Sequence, residues 1–120
     1  MKATIKPHGS KNEFYTDERC HITDLSNSAD DPDLSIAQAR VSPGITTRWH
    51  LLKDTVERYY IISGEGVMEL DGQGKQTVKA GDIVIIPPGC RQRITNRSDS
   101  DLLFLAICSP RFRQENYQDA

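Results

Sequence analysis

The chain is built from short runs of strand-forming residues that alternate with turn residues. The runs extend from CHITDL at residues 20–25 to LLFLAIC at residues 102–108, and SPG, SGEG, DGQGK, AGD and PPG lie between them. Short strands with Gly, Pro, Asn and Asp at this density indicate an all-β sandwich or barrel. Helical periodicity is not convincing anywhere beyond a short turn near the C-terminus. The sequence therefore predicts an all-β fold.

The size of the chain fits one domain. With 120 residues, it is long enough to bury roughly two thirds of the surface that the unfolded chain exposes. Residues 1–34 are polar with scattered apolar anchors, and we expect them to form an arm and a first strand on the barrel. Residues 35–108 form the predicted barrel core, and residues 109–120 form a polar tail.

Charge and composition bound the partners and the location of the protein. Lys and Arg number 15 against 17 Asp and Glu, which gives a net charge of -2, so nucleic acid is not an expected partner. We also expect no contact with a membrane, because no signal peptide and no run of 18 apolar residues is present. Three cysteines without CxxC spacing argue against a disulfide framework and favour the reducing cytoplasm.

Two runs are apolar on both faces, residues 83–86 and residues 102–108. An exposed antiparallel strand alternates apolar and polar residues, so continuous apolarity predicts that both faces are covered. One face can fill the barrel, whereas the other needs a second sheet or a second subunit. We therefore expect a homodimer.

Two glycine-framed motifs carry the polar residues of interest. In the first, Gly44 is followed after five residues by His50, then Leu52 after one, Glu57 after four and Gly64 after six. In the second, Gly81 is followed after five residues by Pro87, then Gly89 after one, Gln92 after two and Asn96 after three. This spacing resembles that of the cupin superfamily over roughly residues 35–108. The resemblance implies a single-domain jelly-roll, or double-stranded β-helix, barrel.

The resemblance also implies a ligand set, from which this chain departs. Metal-dependent cupins take two histidines and a glutamate from the first motif and one histidine from the second. By resemblance, His50 and Glu57 occupy two of those positions, whereas Leu52 and Gln92 stand where the other two histidines would be. The implied chemistry is that of isomerases, oxygenases, decarboxylases or lyases, among which the sequence does not choose.

Strand geometry allows the remaining polar residues to meet. Side chains two apart share a face of a strand, which groups His50 with Arg48 and Glu57 with Tyr59. If Gln92 runs alongside, an imidazole, a carboxylate and an amide oxygen face one pocket. His50, Glu57 and Gln92 could then form an incomplete shell for a divalent transition metal such as iron, manganese, nickel or zinc.

Two other interpretations stay open. The trio could be a hydrogen-bonded polar cluster inside a barrel that binds no metal. Alternatively, Glu57 or His50 could act as a general base in a metal-free site, with Arg48, Tyr59 and Gln92 binding a polar or anionic small molecule. The sequence thus predicts either a small-molecule enzyme with His50 and Glu57 as catalytic residues or a non-catalytic metabolite-binding or sensor module.

One adjacent pair, Cys20 and His21, has no assigned role. Neighbouring residues of a strand point to opposite faces, so the two side chains cannot easily act on one centre. If His21 faces the pocket, it is the best replacement for a missing histidine ligand.

Overall fold

Two antiparallel sheets face each other in this computed structural model, which describes residues 1–120 except for the side chain of Ser10. The larger sheet contains, in spatial order, β1 (Glu13–Tyr15), β2 (His21–Ser26), β3 (Ser35–Val41), β10 (Leu102–Ser109), β5 (Val56–Ser63) and β8 (Ile83–Ile86). The smaller sheet contains β11 (Tyr117–Asp119), β4 (His50–Leu52), β9 (Gln92–Thr95), β6 (Glu65–Leu70) and β7 (Gly74–Lys79). Single 3-10 turns lie at His8–Ser10 and Gln114–Asn116. The architecture confirms the predicted all-β jelly roll.

The core fills one end of the sandwich. Large apolar side chains from both sheets, including Ile61, Leu102, Phe104, Ile94 and Met68, are buried between the sheets. They lie on the inward positions of strands whose residues alternate between buried and more exposed, as a half-buried strand requires. Their contact excludes water from this end and fixes the two sheets face to face.

A tight turn requires one of the motif glycines. Gly64 has φ +85°, and a Cβ atom placed on it would lie 2.7 Å from the carbonyl oxygen of Asp101. Only glycine combines that backbone conformation with so close an approach of a neighbouring chain. The glycine therefore marks the turn between β5 and β6.

The two ends of the chain take a larger part in the barrel than the sequence indicates. β1 pairs with β2 and extends the larger sheet, and β11 pairs with β4 at the edge of the smaller sheet. In contrast, the strand-forming run ITTRWHLL at residues 45–52 is regular strand only over β4, preceded by an isolated bridge from Thr46 to Thr95. In the described part of the chain, no helix is long and apolar enough to cross a membrane.

Candidate functional site

A cavity of about 610 Å³ opens at the other end of the sandwich. Its walls include Ala37, Ala39 and Ala106 on neighbouring strands of the larger sheet, and at the core end the same two strands carry the larger Val41 and Leu102. Small side chains at these inward positions leave the two sheets apart without filling the gap. Part of the N-terminal arm and part of the C-terminal tail line the mouth, so both ends of the chain help to form the site.

Gln92 connects the two sheets next to this cavity, where it bonds to two of the lining residues without lining the cavity itself. Its side chain is fully buried on β9, and its Nε2 donates to Oε1 of Glu57 at 2.7 Å. The hydroxyl of Tyr59 donates to its Oε1 at 2.7 Å. Glu57 and Tyr59 lie two residues apart on β5 and therefore share a face. The Gln92 amide thus forms hydrogen bonds with two polar side chains of the larger sheet.

Glu57 is the buried acid of the site. It lines the cavity with 8% of its surface exposed, and its Oε2 has the thiol of Cys108 at 3.8 Å. Burial raises its pKa to about 7, and the nearby Glu18 carboxylate adds to this, against the opposing effects of Gln92 and His50. A carboxyl group with such a pKa can both accept and release a proton near neutral pH.

His50 lies across from Glu57 on the smaller sheet, where β4 pairs with β9 at His50 and Gln92. Its Nδ1 is 2.8 Å from the backbone carbonyl oxygen of Arg48. A carbonyl oxygen only accepts, so Nδ1 carries the proton and Nε2 faces the Glu18 carboxylate at 3.7 Å. The imidazole therefore has a fixed tautomer and presents Nε2 to an acid.

Glu18 and Tyr117 are site residues that the sequence analysis missed. Burial raises the pKa of Glu18, and Asp119 adds to that effect while His50 opposes it. The Tyr117 ring stacks on His50, with 5.3 Å between ring centroids and 20° between planes. Glu18 belongs to a polar arm without periodicity, so no sequence signal identifies it. For the C-terminal tail, the only sequence signal of a role in the site is that Tyr117 and Asp119 lie two residues apart and so share a face of a strand.

Arg48 and Tyr59 occupy different environments. Arg48 precedes β4, so the strand alternation that placed it beside His50 does not apply. Its side chain is 46% exposed at the mouth of the cavity, with its guanidinium 3.7 Å from the carboxylate of Asp119. Tyr59 is buried against Phe104, and its hydroxyl already donates to Gln92.

The donor atoms do not fit a divalent metal. The amide nitrogen of Gln92 donates to Glu57, and its oxygen accepts from Tyr59. The amide therefore has no free donor atom directed at a metal position that it could share with His50. Leu52 contributes an apolar side chain at the position of a second imidazole. Among the described residues, no group of three His, Cys, Asp or Glu side chains could hold a metal ion. Cupins often bind divalent metals, but this side-chain set offers too few free donors.

His21 does not supply the missing imidazole. The cavity is lined by Cys20, which directly precedes β2, and by Ile22 of β2, whereas the His21 ring packs edge-on against Tyr15 at 4.9 Å. Burial raises the pKa of the Cys20 thiol to about 12, with Glu18 adding to the effect, so the thiol stays protonated at neutral pH.

Comparison with known proteins defines the class. Residues 37–108 match the cupin domain family. This is more than half of the chain, so the protein belongs to the cupin family.

The relatives identify no single activity. An uncharacterized protein of Methanocaldococcus jannaschii is 37% identical over 82 residues, covering 68% of this chain and 65% of that protein. The oxalate-binding protein of Thermotoga maritima is 35% identical over 71 residues, covering 59% of this chain and 58% of that protein. The chain thus spans less than two thirds of the length of both. The nucleoside dehydratase Pac13 of Streptomyces has the same fold, with a TM-score of 0.83 and 17% identity over 99% of this chain and 92% of that chain.

Proposed function

We propose that the cavity binds a small polar organic molecule and transfers a proton on it without a metal ion. The observation that carries this proposal is the Glu57 carboxyl group, which lines the cavity, is fixed through Oε1 by Gln92 and has a pKa raised to about 7. Such a group matches the requirement for a general acid or base at neutral pH. Binding of a small molecule is the function that the cupin family membership supports.

A second carboxyl group, that of Glu18, lines the same cavity. His50 has Nδ1 committed to a backbone carbonyl, and its Nε2 lies 3.7 Å from the carboxylate of Glu18. In an elimination, Glu57 takes a proton from a carbon of the substrate, and the electron pair of that C–H bond forms a double bond. The hydroxyl group on the neighbouring carbon leaves as water with a proton from the carboxyl group of Glu18, whose pKa burial raises. Proton return to a different carbon gives an isomerisation instead.

The two characterised comparisons support a small polar ligand. Pac13 is named a nucleoside dehydratase, and dehydration requires one base and one acid of the kind described above. The Thermotoga relative is named for binding oxalate. That Arg48 binds an anionic group stays a prediction, and the nearby Asp119 already engages its guanidinium. Arg48→Gln tests this prediction. If ligand affinity and its dependence on salt stay unchanged in the variant, Arg48 does not bind an anionic group of the ligand.

The second candidate function is a non-catalytic binding module. It is favoured by the pairing within the site, where Tyr59, Gln92 and Glu57 already bond to one another. A chain of satisfied buried groups rigidifies a barrel and needs no turnover to explain it. The metal-dependent alternative, with His50, Glu57 and Gln92 as ligands of iron, manganese, nickel or zinc, has less support because the amide is engaged.

One experiment separates these functions. Ligands are first found by thermal shift of the untagged protein against a metabolite panel, with elemental analysis of the same sample. Each ligand is then incubated with the protein in D₂O, and exchange of its C–H protons is followed by NMR. We expect exchange in the wild type, loss of exchange in Glu57→Gln, and no change in Glu65→Gln, which removes an exposed carboxylate of β6.

Each outcome decides the question. Binding without exchange favours the non-catalytic module. A stoichiometric transition metal that disappears in His50→Ala would favour the metal-dependent enzyme. Exchange by a metal-free sample that survives Glu57→Gln would refute the role given to Glu57.

We also propose a homodimer. Ile83 and Ile85 on the edge strand β8 are 57% and 64% exposed, and Tyr60 and Ile62 on β5 are exposed beside them. A second copy of the chain would cover these large apolar side chains. Light scattering at micromolar concentration should give a dimer mass, and Ile85→Lys should give a monomer. A monomeric wild type contradicts the proposal. The absence of nucleic-acid and membrane partners and a cytoplasmic location stay predictions.

A further inference from the structure

The cavity wall is far more acidic than the chain as a whole. The net charge of the chain is -2, yet among the described residues five carboxyl groups and one guanidinium, that of Arg48, line the cavity. The acidic residues are Asp17, Glu18, Asp24, Glu57 and Asp119. A concave site lined by one sign of charge attracts ligands of the opposite sign.

The guanidinium offsets little of this charge within the cavity. Arg48 lies at the mouth, 46% exposed, and its nitrogen is 3.7 Å from Asp119. Since this contact uses the charge of Arg48 against one carboxylate, Asp17, Asp24, Glu18 and Glu57 are left to act on a ligand. Burial favours the neutral form of the two glutamates, whereas a cationic group beside them favours the charged form. His50 is not one of the residues that line the cavity, and its Nε2 lies 3.7 Å from Glu18.

A second observation points to a ligand. Glu57 is more than nine-tenths buried and lines the cavity, and for its Oε2 the described side chains provide a thiol at 3.8 Å. A thiol is a weak donor, so this oxygen still lacks a strong partner. A charged N–H donor on a ligand would supply one and would form a stronger hydrogen bond than a neutral donor does.

The apolar part of the wall is aromatic. Phe14, Tyr59, Phe104, Phe112 and Tyr117 line the cavity. Aromatic faces attract both rings and cations, and the attraction to cations grows where water is excluded. A volume of about 610 Å³ lies within the range of small-molecule sites, roughly 300–1,000 Å³.

We infer that the cavity selects a cationic ligand, a small ring-bearing organic molecule with a protonated amine that reaches the carboxyl groups of Glu18 and Glu57. This inference rests on the binding function proposed above and names the class of ligand for the same cavity. Carboxylate ligands would meet like charge from the acidic residues of the wall, so a dianion of the oxalate type is disfavoured.

The test compares three probes of similar shape and different charge: benzylammonium, benzyl alcohol and benzoate. Their binding to the full chain at neutral pH is measured by NMR titration. Benzylammonium should bind at least about tenfold more tightly than benzoate, with benzyl alcohol between them. Its affinity should fall as salt is added, whereas that of benzyl alcohol should not.

Substitutions in the cavity wall test whether the preference for a cation arises in the cavity. Asp17 and Asp24 are exposed residues of the wall, so Asp17→Asn/Asp24→Asn should fold normally, weaken benzylammonium and strengthen benzoate. Asp99→Asn removes an exposed acid outside the wall and should change neither affinity. Glu18→Gln should reduce the affinity for benzylammonium further.

The result that would overturn the inference is equal affinity for the three probes, a preference for benzoate, or no saturable binding of benzylammonium. Since these titrations measure charge preference and not turnover, a preference for benzoate would leave the proton-transfer role of Glu57 standing. Conversely, if the wild-type protein catalysed no C–H exchange in D₂O, the preference for cations would still stand.

Discussion

The raised pKa of Glu57 predicts a specific pH dependence of stability. Burial takes the pKa of this carboxyl group from 4.5 to about 7 in the folded protein. Between these values the folded state holds a proton that the unfolded state has released, so the free energy of unfolding falls as pH rises. The contribution of Glu57 is fully present below pH 4.5 and is lost as pH rises through about 7. Its size is about 3 kcal/mol, at about 1.4 kcal/mol for each pH unit.

Glu57→Gln isolates this contribution, because a neutral amide of similar shape does not titrate. The groups that face Glu57, namely His50, Glu18 and Cys108, stay in both proteins. Urea unfolding of wild type and variant from pH 4.5 to about 7.5 gives the difference between their free energies. That difference should move by about 3 kcal/mol in favour of the variant as pH rises. Glu65→Gln serves as the exposed control.

The same comparison can refute the reasoning. A difference that stays constant over this range would show that Glu57 is ionised in the folded protein throughout. A difference that moves in favour of the wild type would show that its pKa is lowered, as beside a bound cation. In both cases Glu57 would not carry the proton that the proposed chemistry needs.

Two further variants test the site and the core. Leu52→His/Gln92→His introduces both imidazoles that the cupin resemblance implies. Elemental analysis should find near-stoichiometric transition metal in this variant and far less in the wild type. Equal metal content would contradict the argument that the wild-type side chains offer too few donors for a metal. Gly66→Ala places a Cβ atom 2.9 Å from a core side chain and should cost about 1–3 kcal/mol in urea unfolding, whereas Gly9→Ala, with nothing within 4 Å, should leave stability unchanged.

The motif spacing indicated which polar residues lie near one another, but of His50, Glu57 and Gln92 only Glu57 lines the cavity. Strand alternation placed Glu57 and Tyr59 on one face, and the structure has both on that face with Gln92 between them and His50 on the adjoining strand. These residues lie in regular strands, where a period of two fixes the direction of a side chain. Such positions are predictable without knowledge of the tertiary fold.

The mouth of the cavity was not predictable in the same way. Glu18 lies in a turn and Arg48 precedes its strand, so neither follows the alternation that governs strand residues. Whether such segments approach a site depends on how the arm and the tail pack on the barrel. The cavity itself depends on Ala37, Ala39 and Ala106, which are ordinary strand residues until their partners across the sandwich are known.

The replacement of a histidine by Gln92 links the geometry to the proposed chemistry. An amide presents a donor and an acceptor at the same end of the side chain, so it can bond to Glu57 and Tyr59, two residues apart on one face. The two nitrogens of an imidazole point apart and could not do this for neighbouring groups. The amide therefore joins the sheets without bringing positive charge to Glu57. Burial disfavours the charged form of a carboxyl group, and a neutral partner opposes this less than a cation would. The amide at position 92 thus leaves Glu57 with the raised pKa that the proposed proton transfer needs.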